Sequence, residues 1–293
     1  MSDKVVVTVG MFDGVHLGHR HILATLLATA RELGLEPVVV TFDRHPREVL
    51  SGVPFPRLTT NAERAALIKG CGIDRIVELP FTPQLASLSA CEFLREVLVG
   101  QLGAKALVLG YDNMFGNKHK AGFDRLPQES ARLGVTLRVD KAVEVDGVEV
   151  SSTRIRQALA DGHVDQAARL LGTPYSLSGR VEQGFRIGRT LGFPTANITL
   201  PEGKALPADG VYAARVGEMA AMANLGPRPT FDVGARTLEV HLIGRHQDLY
   251  GHTLTLQFVA RLRDIQKFDS PEALAAQLQR DKQEALGRLK IED

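Results

Sequence analysis

Two hydrophobic rhythms divide this chain, and the change between them near residue 173 limits the fold more than any other feature. In the first half, short apolar runs of strand type alternate with segments whose apolar residues recur at helical spacing. Lys4–Val9, Val38–Phe42, Ile73–Leu79, Ala106–Leu109 and Val135–Val139 read as strands. Between the first two, Ile22, Leu23, Leu26, Leu27, Ala30 and Leu33 keep one helical face, and Gly34 ends it. The capping boxes Thr60-x-x-Glu63 and Ser89-x-x-Glu92 open two more helices, which stop at Gly70 or Gly72 and at Gly103. Such alternation predicts an α/β doubly wound layout, a parallel sheet with helices on both faces. Ligands of such sheets sit outside the carboxyl ends of the strands, where His16, Asp43 and Asp112 all fall.

After Ser151 the rhythm shortens. Residues 151–172 read as short helices broken at Asp161-Gly162. From Tyr175 the strands are brief and turn-separated: Tyr175–Gln183, Val211–Val216, Met222–Leu225, Leu238–Leu242 and Thr253–Leu262. That spacing predicts a compact antiparallel barrel. Ser270-Pro271-Glu272 supplies an N-cap and an N1 proline for a last helix, from Glu272 to about Leu286. The expected domains are therefore 1–173 and 174–293, each long enough for its own core.

Composition excludes several function classes. With 44% hydrophobic and 24% charged residues the chain is of soluble globular type. A net charge of +1 gives no basic field, so no nucleic-acid partner is expected. No apolar run approaches the roughly 20 residues of a membrane span, and Met1-Ser2-Asp3-Lys4 leads into a strand rather than a signal peptide. A cytoplasmic location without membrane partners is the expectation. Cys71 and Cys91 form no C-x-x-C and read as small core residues.

Chemistry concentrates first in Gly10-Met11-Phe12-Asp13-Gly14-Val15-His16-Leu17-Gly18-His19. Two imidazoles stand three residues apart where a strand turns into a helix-patterned run beginning near Arg20. The unpaired N–H groups and positive dipole of a helix N-terminus suit phosphate. Neither G-x-x-x-x-G-K-[ST] nor G-x-G-x-x-G occurs, so any phosphate chemistry is of another kind.

Three further segments accompany this motif: Val40-Thr41-Phe42-Asp43-Arg44-His45-Pro46, Leu109-Gly110-Tyr111-Asp112-Asn113-Met114-Phe115-Gly116 and Val150-Ser151-Ser152-Thr153-Arg154-Ile155-Arg156. Together the four resemble the signature of the nucleotidyltransferases that adenylylate a phosphomonoester, and the Phe-Asp-Gly form looks most like bacterial FAD synthetases. The resemblance implies a Rossmann-like nucleotidyltransferase domain with an ATP site at Gly10, Phe12, Asp13, Gly14, His16, Gly18, His19, Ser152, Thr153 and Arg156. In that family the two histidines hold the ATP phosphates while the α-phosphorus is attacked. No protein nucleophile is needed, because in-line displacement at phosphorus depends on charge neutralisation and alignment. The flavin side falls to Asp43, Asp112 and Phe115. This chain departs from the pattern at Arg44, where proline is usual, and at Asn113, where an aromatic is usual.

The barrel half carries its own signature, Gly179 through Asn197, with a glycine-rich loop leading into Pro194-Thr195-Ala196-Asn197. It looks like that of riboflavin kinase. The resemblance implies nucleotide contacts at Gly184, Gly188, Arg189, Gly192, Thr195 and Asn197, with Thr195 and Asn197 on the Mg²⁺ of Mg-ATP. Oxygen ligands suit that ion. Glu239 and His241 share one face of a strand, and Glu239 matches the family's general base on the riboflavin 5′-hydroxyl as well as its flavin contact.

The whole resembles a bifunctional riboflavin kinase and FAD synthetase. It implies riboflavin, FMN and ATP as substrates, Mg²⁺ in both steps, and catalytic roles for Glu239, His16, His19 and Arg156. Two alternatives stay open at this level. One is a monofunctional kinase whose adenylyltransferase site has lapsed, since both departures lie in the first half. The other is a non-catalytic flavin- or nucleotide-binding regulatory module.

Overall fold

The computed structural model describes residues 4–111, 115–116, 123–182, 192–227, 236–245 and 249–291. The chain divides into two compact units, Met1–Ser152 and Thr153–Asp293.

In chain order the first unit contains β1 (Val5–Val9), α1 (Leu17–Leu33), β2 (Glu36–Phe42), α2 (Pro46–Ser51), α3 (Asn61–Gly70), β3 (Arg75–Leu79), α4 (Pro83–Ser87) and α5 (Ala90–Phe93). A π-helical turn, Leu94–Val99, continues α5, and β4 (Ala104–Leu109), α6 (Leu126–Arg132), β5 (Thr136–Val139) and the hairpin β6 (Glu144–Val145) and β7 (Val148–Glu149) follow. The five parallel strands run β3-β2-β1-β4-β5. β1 and β4 carry apolar residues on both sides and are buried throughout apart from Lys105, as a strand covered on two faces must be. Two apolar layers result. Val5, Val7 and Val9 pack with Phe93, Leu94, Leu98 and Phe115, and Val6 packs with Phe12, Leu23, Leu26 and Ile68 on the opposite face. Both capping boxes form: Thr60 and Ser89 each accept from the backbone of their glutamate three residues on, and each glutamate returns the bond.

The second unit begins with α7 (Ser152–Ala160) and α8 (Val164–Leu171). Then come β8 (Ser176–Glu182), β9 (Ala196–Ile198), β10 (Gly210–Val216), β11 (Met219–Pro227), β12 (Arg236–Leu242), β13 (Thr253–Arg263) and α9 (Pro271–Leu289). Six strands close into an antiparallel barrel in the order β10-β11-β12-β9-β8-β13. Strand parity sends Tyr212, Ala223, Leu225, Leu238, Val240 and Phe258 inward, where the Tyr212 and Phe258 rings meet edge to face at 5.2 Å. The outer face of β10 and β11 carries Ala213, Ala220 and Met222, which pack with Ala285, Leu286 and Leu289 of α9. Arg263 clasps the buried Asp281 of α9 at 2.7 Å, which fixes the helix along the wall. β9 was not expected, because three residues inside a turn-rich motif show no period. Cys71 and Cys91 are both half-buried. Among the described residues no helix is long and apolar enough to cross a membrane.

Candidate active sites

The first candidate site is the turn between β1 and α1, beyond the carboxyl end of a central strand. Gly10 donates its N–H to Val40 O at 3.0 Å, so the turn leaves the sheet alongside β2. It then doubles back through three left-handed residues, Phe12 (φ 50°), Gly14 (φ 85°) and Val15 (φ 41°). This brings His16 to the N-cap of α1, where its Nδ1 accepts from His19 N at 3.3 Å. The helix therefore starts at Leu17, three residues before the apolar spacing suggests, because an imidazole caps it.

That bond decides the proton. Nδ1 of His16 accepts, so in the neutral ring Nε2 carries the hydrogen and is a donor. The His16 and His19 rings stack with centroids 3.6 Å apart at 17°, and His19 also meets Phe12 at 5.1 Å. Burial, and secondly the neighbouring His16, push the His19 pKa well below its ordinary 6.5. Two stacked imidazoles thus stand at a helix N-terminus, and His19 Nδ1 has no hydrogen-bond partner among the described residues. The same packing is tight against Gly18: a Cβ there would lie 3.2 Å from both Cε1 and Nδ1 of His16.

Asp13 faces inward at 2% exposure. Its carboxylate accepts from Leu58 N at 2.9 and 3.0 Å, Thr59 N at 3.0 Å and Thr59 Oγ1 at 3.2 Å. Ser152 Oγ donates to Asp13 O at 2.9 Å, which joins the Ser-Ser-Thr segment to the histidine turn. Thr153, exposed, and Arg156, half-buried, lie further along α7 in the second unit. Asp43 directly follows β2 and its Oδ1 accepts from Phe81 N at 2.8 Å. Phe115 is buried between Phe93 and Phe123, with centroids 5.4 and 6.1 Å away. His45 caps α2 and stacks on Phe55 at 4.0 Å. Asp112 lies outside the described residues, as do Gly184, Gly188 and Arg189 of the glycine-rich loop.

The second candidate site is on the outer wall of the barrel, where β8, β9, β12 and the far end of β11 meet. Glu239 of β12 is in register with Asn197 of β9 on one side and Asn224 of β11 on the other, and Asn197 is also in register with Glu182 of β8. Directly opposed residues have Cβ atoms about 5 Å apart, so a row of amide and carboxylate oxygens crosses four strands. Thr195 immediately precedes β9 and Gly192 (φ 78°) stands at the start of this described stretch. His241, one step along the same face, bonds through Nδ1 to Pro194 O at 2.9 Å and meets the Phe193 ring at 5.1 Å. A carbonyl only accepts, so Nδ1 of His241 carries a proton. Leu58, Thr59 and His241 were not singled out as site-forming in the sequence. A capping box immediately after Thr59 and the parity of His241 with Glu239 are the only local signals they give.

Comparison with known proteins settles the lineage. A FAD synthetase family model matches residues 1–154 and a riboflavin kinase model matches 171–289. Bifunctional riboflavin kinase/FMN adenylyltransferase of Pseudomonas fluorescens is 42% identical, over 94% of this chain and 90% of its own length. The chain belongs to the bifunctional riboflavin kinase/FMN adenylyltransferase family. Relatives with the same description in Escherichia coli K12 (38% identity, 96% of this chain and 91% of that one) and Bacillus subtilis 168 (35%, 97% and 92%) span it equally. A crystal structure described as a macrolide-efflux protein from Streptococcus pneumoniae superposes with a TM-score of 0.87 at 36% identity, covering 97% of this chain and 94% of that one.

Proposed function

We propose that this protein phosphorylates riboflavin to FMN with ATP on the barrel, and adenylylates FMN to FAD with release of pyrophosphate at the histidine turn. The observation that carries the reading is that one chain assembles both the His16–His19 stack at a helix N-terminus and the Asn197–Glu239 pair on a barrel wall. A lapsed first site or a pure binding module has no use for both. Functionally, residues 1–173 are assigned to adenylylation and 174–293 to the kinase.

In the kinase step Glu239 accepts the proton of the riboflavin 5′-hydroxyl as that oxygen attacks the γ-phosphorus, and ADP leaves. Thr195 and Asn197 fit Mg²⁺, since both are hard oxygen donors and Asn197 is in register with two carboxylates. The ion when bound supplies charge neutralisation on the phosphates. Gly184, Gly188, Arg189 and Gly192 border the triphosphate, and Glu239 also faces the flavin.

In the adenylylation step an FMN phosphate oxygen attacks the α-phosphorus and pyrophosphate leaves. A phosphomonoester is already largely ionised near pH 7, so no base is needed. His16 donates from Nε2, Gly10, Phe12, Gly14 and Gly18 shape the backbone around the triphosphate, and Ser152, Thr153 and Arg156 bind phosphate oxygens. Asp43, Asp112 and Phe115 form the flavin side. ATP as the substrate of both steps favours a cytoplasmic location.

The two sites are separable by experiment. Glu239→Ala or Asn197→Ala is expected to abolish FMN formation while FAD formation from supplied FMN persists, and His19→Ala to do the reverse. Loss of both activities from a folded single variant would remove the two-site reading, and undiminished FAD formation by His19→Ala would remove His19 from it.

A further inference from the structure

The histidine turn is conformationally expensive and is held from beneath. Phe12 and Val15 both have positive φ, a region that a β-branched residue such as Val15 rarely occupies. A turn of this kind keeps its shape only where its surroundings over-determine it. The surroundings here are Leu58 and Thr59, some forty-five residues away in sequence. The Thr59 hydroxyl works in both directions: it donates to Asp13 Oδ1 at 3.2 Å and accepts from Gly14 N at 3.1 Å. The Asp13 carboxylate takes the Leu58 and Thr59 N–H groups as well, so it is directed at this segment and closed from solvent.

The same segment is tied to the rest of the site. It runs directly into the Thr60–Glu63 capping box of α3. From that helix Asn61 Nδ2 donates to Asp43 O at 2.9 Å, and the buried Arg64 donates to Phe42 O at 2.7 Å. One short stretch, Leu58 to Arg64, thereby holds both the histidine turn and the end of β2.

We infer that Asp13 and Thr59 are positioning residues of the adenylylation site, which act by holding Phe12–Val15 in its left-handed course and so aim His16 and His19. The inference rests on the adenylyl-transfer reading of this site. It reassigns Asp13 from a nucleotide contact to a clamp, and it gives Thr59 a role in the reaction.

The test uses the full-length protein and four variants: Thr59→Val, Thr59→Ser, Asp13→Asn, and Asp13→Asn combined with Thr59→Val. Valine keeps the shape of threonine and removes the hydroxyl, leaving Gly14 N without its acceptor. Thr59→Val is expected to lower kcat for FAD formation from FMN and ATP by about tenfold or more, with KM for FMN little changed. Riboflavin phosphorylation should be unchanged, which reports a folded chain. Thr59→Ser should recover most of the lost kcat, as a merely space-filling residue would not. The double variant should lose less than the product of the two single losses, because both changes open one clamp. Wild-type kcat in Thr59→Val, or a serine variant as slow as the valine one, overturns the inference. So does a multiplicative double variant with the Asp13→Asn loss confined to KM for ATP, the signature of a direct nucleotide contact. If Asp13→Asn loses kinase activity too and is unfolded, the two Thr59 variants decide alone. Absence of FAD formation by the unsubstituted protein would instead overturn the adenylyl-transfer reading.

Discussion

Replacing Gly18 with alanine sets two effects of opposite sign against each other in one residue. Gly18 is the second residue of α1, where alanine is favoured over glycine by at most the helix-interior difference of about 1 kcal/mol. The new methyl would lie 3.2 Å from Cε1 and Nδ1 of His16 and 3.7 Å from Val150 O. Ordinary carbon contacts settle at about 3.5–4.0 Å, so the imidazole must retreat by roughly half an ångström. It has little room to do so. His19 stacks against it with centroids 3.6 Å apart, and its cap bond to His19 N is already 3.3 Å long. Retreat therefore weakens the N-cap, at a cost of about 1 kcal/mol, which offsets the helix gain and leaves stability nearly unchanged. Activity is not offset. Displacements of about 1 Å at a reacting site cost up to ~100-fold, so a half-ångström shift of His16 is expected to slow FAD formation by about tenfold. The measurement is chromatographic FAD formation from FMN and ATP, beside riboflavin phosphorylation and thermal melting on the same preparation. Full adenylylation activity in Gly18→Ala would refute the claim that the position of His16 is critical, and a drop in melting stability of several kcal/mol would refute the cancellation.

Two other expectations concern His241 and His19. His241→Leu leaves Pro194 O without its donor, worth about 1–3 kcal/mol if it stays buried, and should lower riboflavin phosphorylation by about tenfold or more while FAD formation from FMN continues. His241→Asn places an amide N–H near the Nδ1 position and should restore much of that loss; equal kinetics for the two variants would show that the bond does not matter. For His19 the folded state favours the neutral ring, so between its lowered folded pKa and the ordinary 6.5 the unfolded chain binds more protons. Stability from this group is complete above about pH 6.5 and is lost as pH falls through the folded pKa. Denaturation midpoints from pH 7.5 down to about 5 should fall less steeply in His19→Gln than in the unsubstituted protein.

Much of the fold is legible locally. The five parallel strands follow from apolar runs, and Thr60 and Ser89 cap helices as their glutamates three residues on require. Short elements are less so. α2, α4 and β9 are three to six residues long and repeat no period, and the helix opened by Ser89 passes into a π turn that no spacing announces. α1 starts earlier than its apolar face because a histidine caps it, a residue outside the usual serine, threonine, aspartate and asparagine set.

The sites divide in the same way. The residues proposed to react stand in recognisable order along the chain: His16 and His19 in one turn, Thr195 and Asn197 in one tetrapeptide, Glu239 on one strand face. Those are local patterns, and local sterics and helix-end polarity give them meaning without the rest of the molecule. What holds each residue was decided only in three dimensions. Asp13 turns away from solvent toward Leu58 and Thr59, Glu239 comes into register with Asn197, and His241 fastens Pro194. Each of these joins segments about forty or more residues apart, where the partner is selected by how sheets close and helices pack. A hydrogen bond across such a distance leaves no periodic trace in either segment, so only the folded chain reveals it.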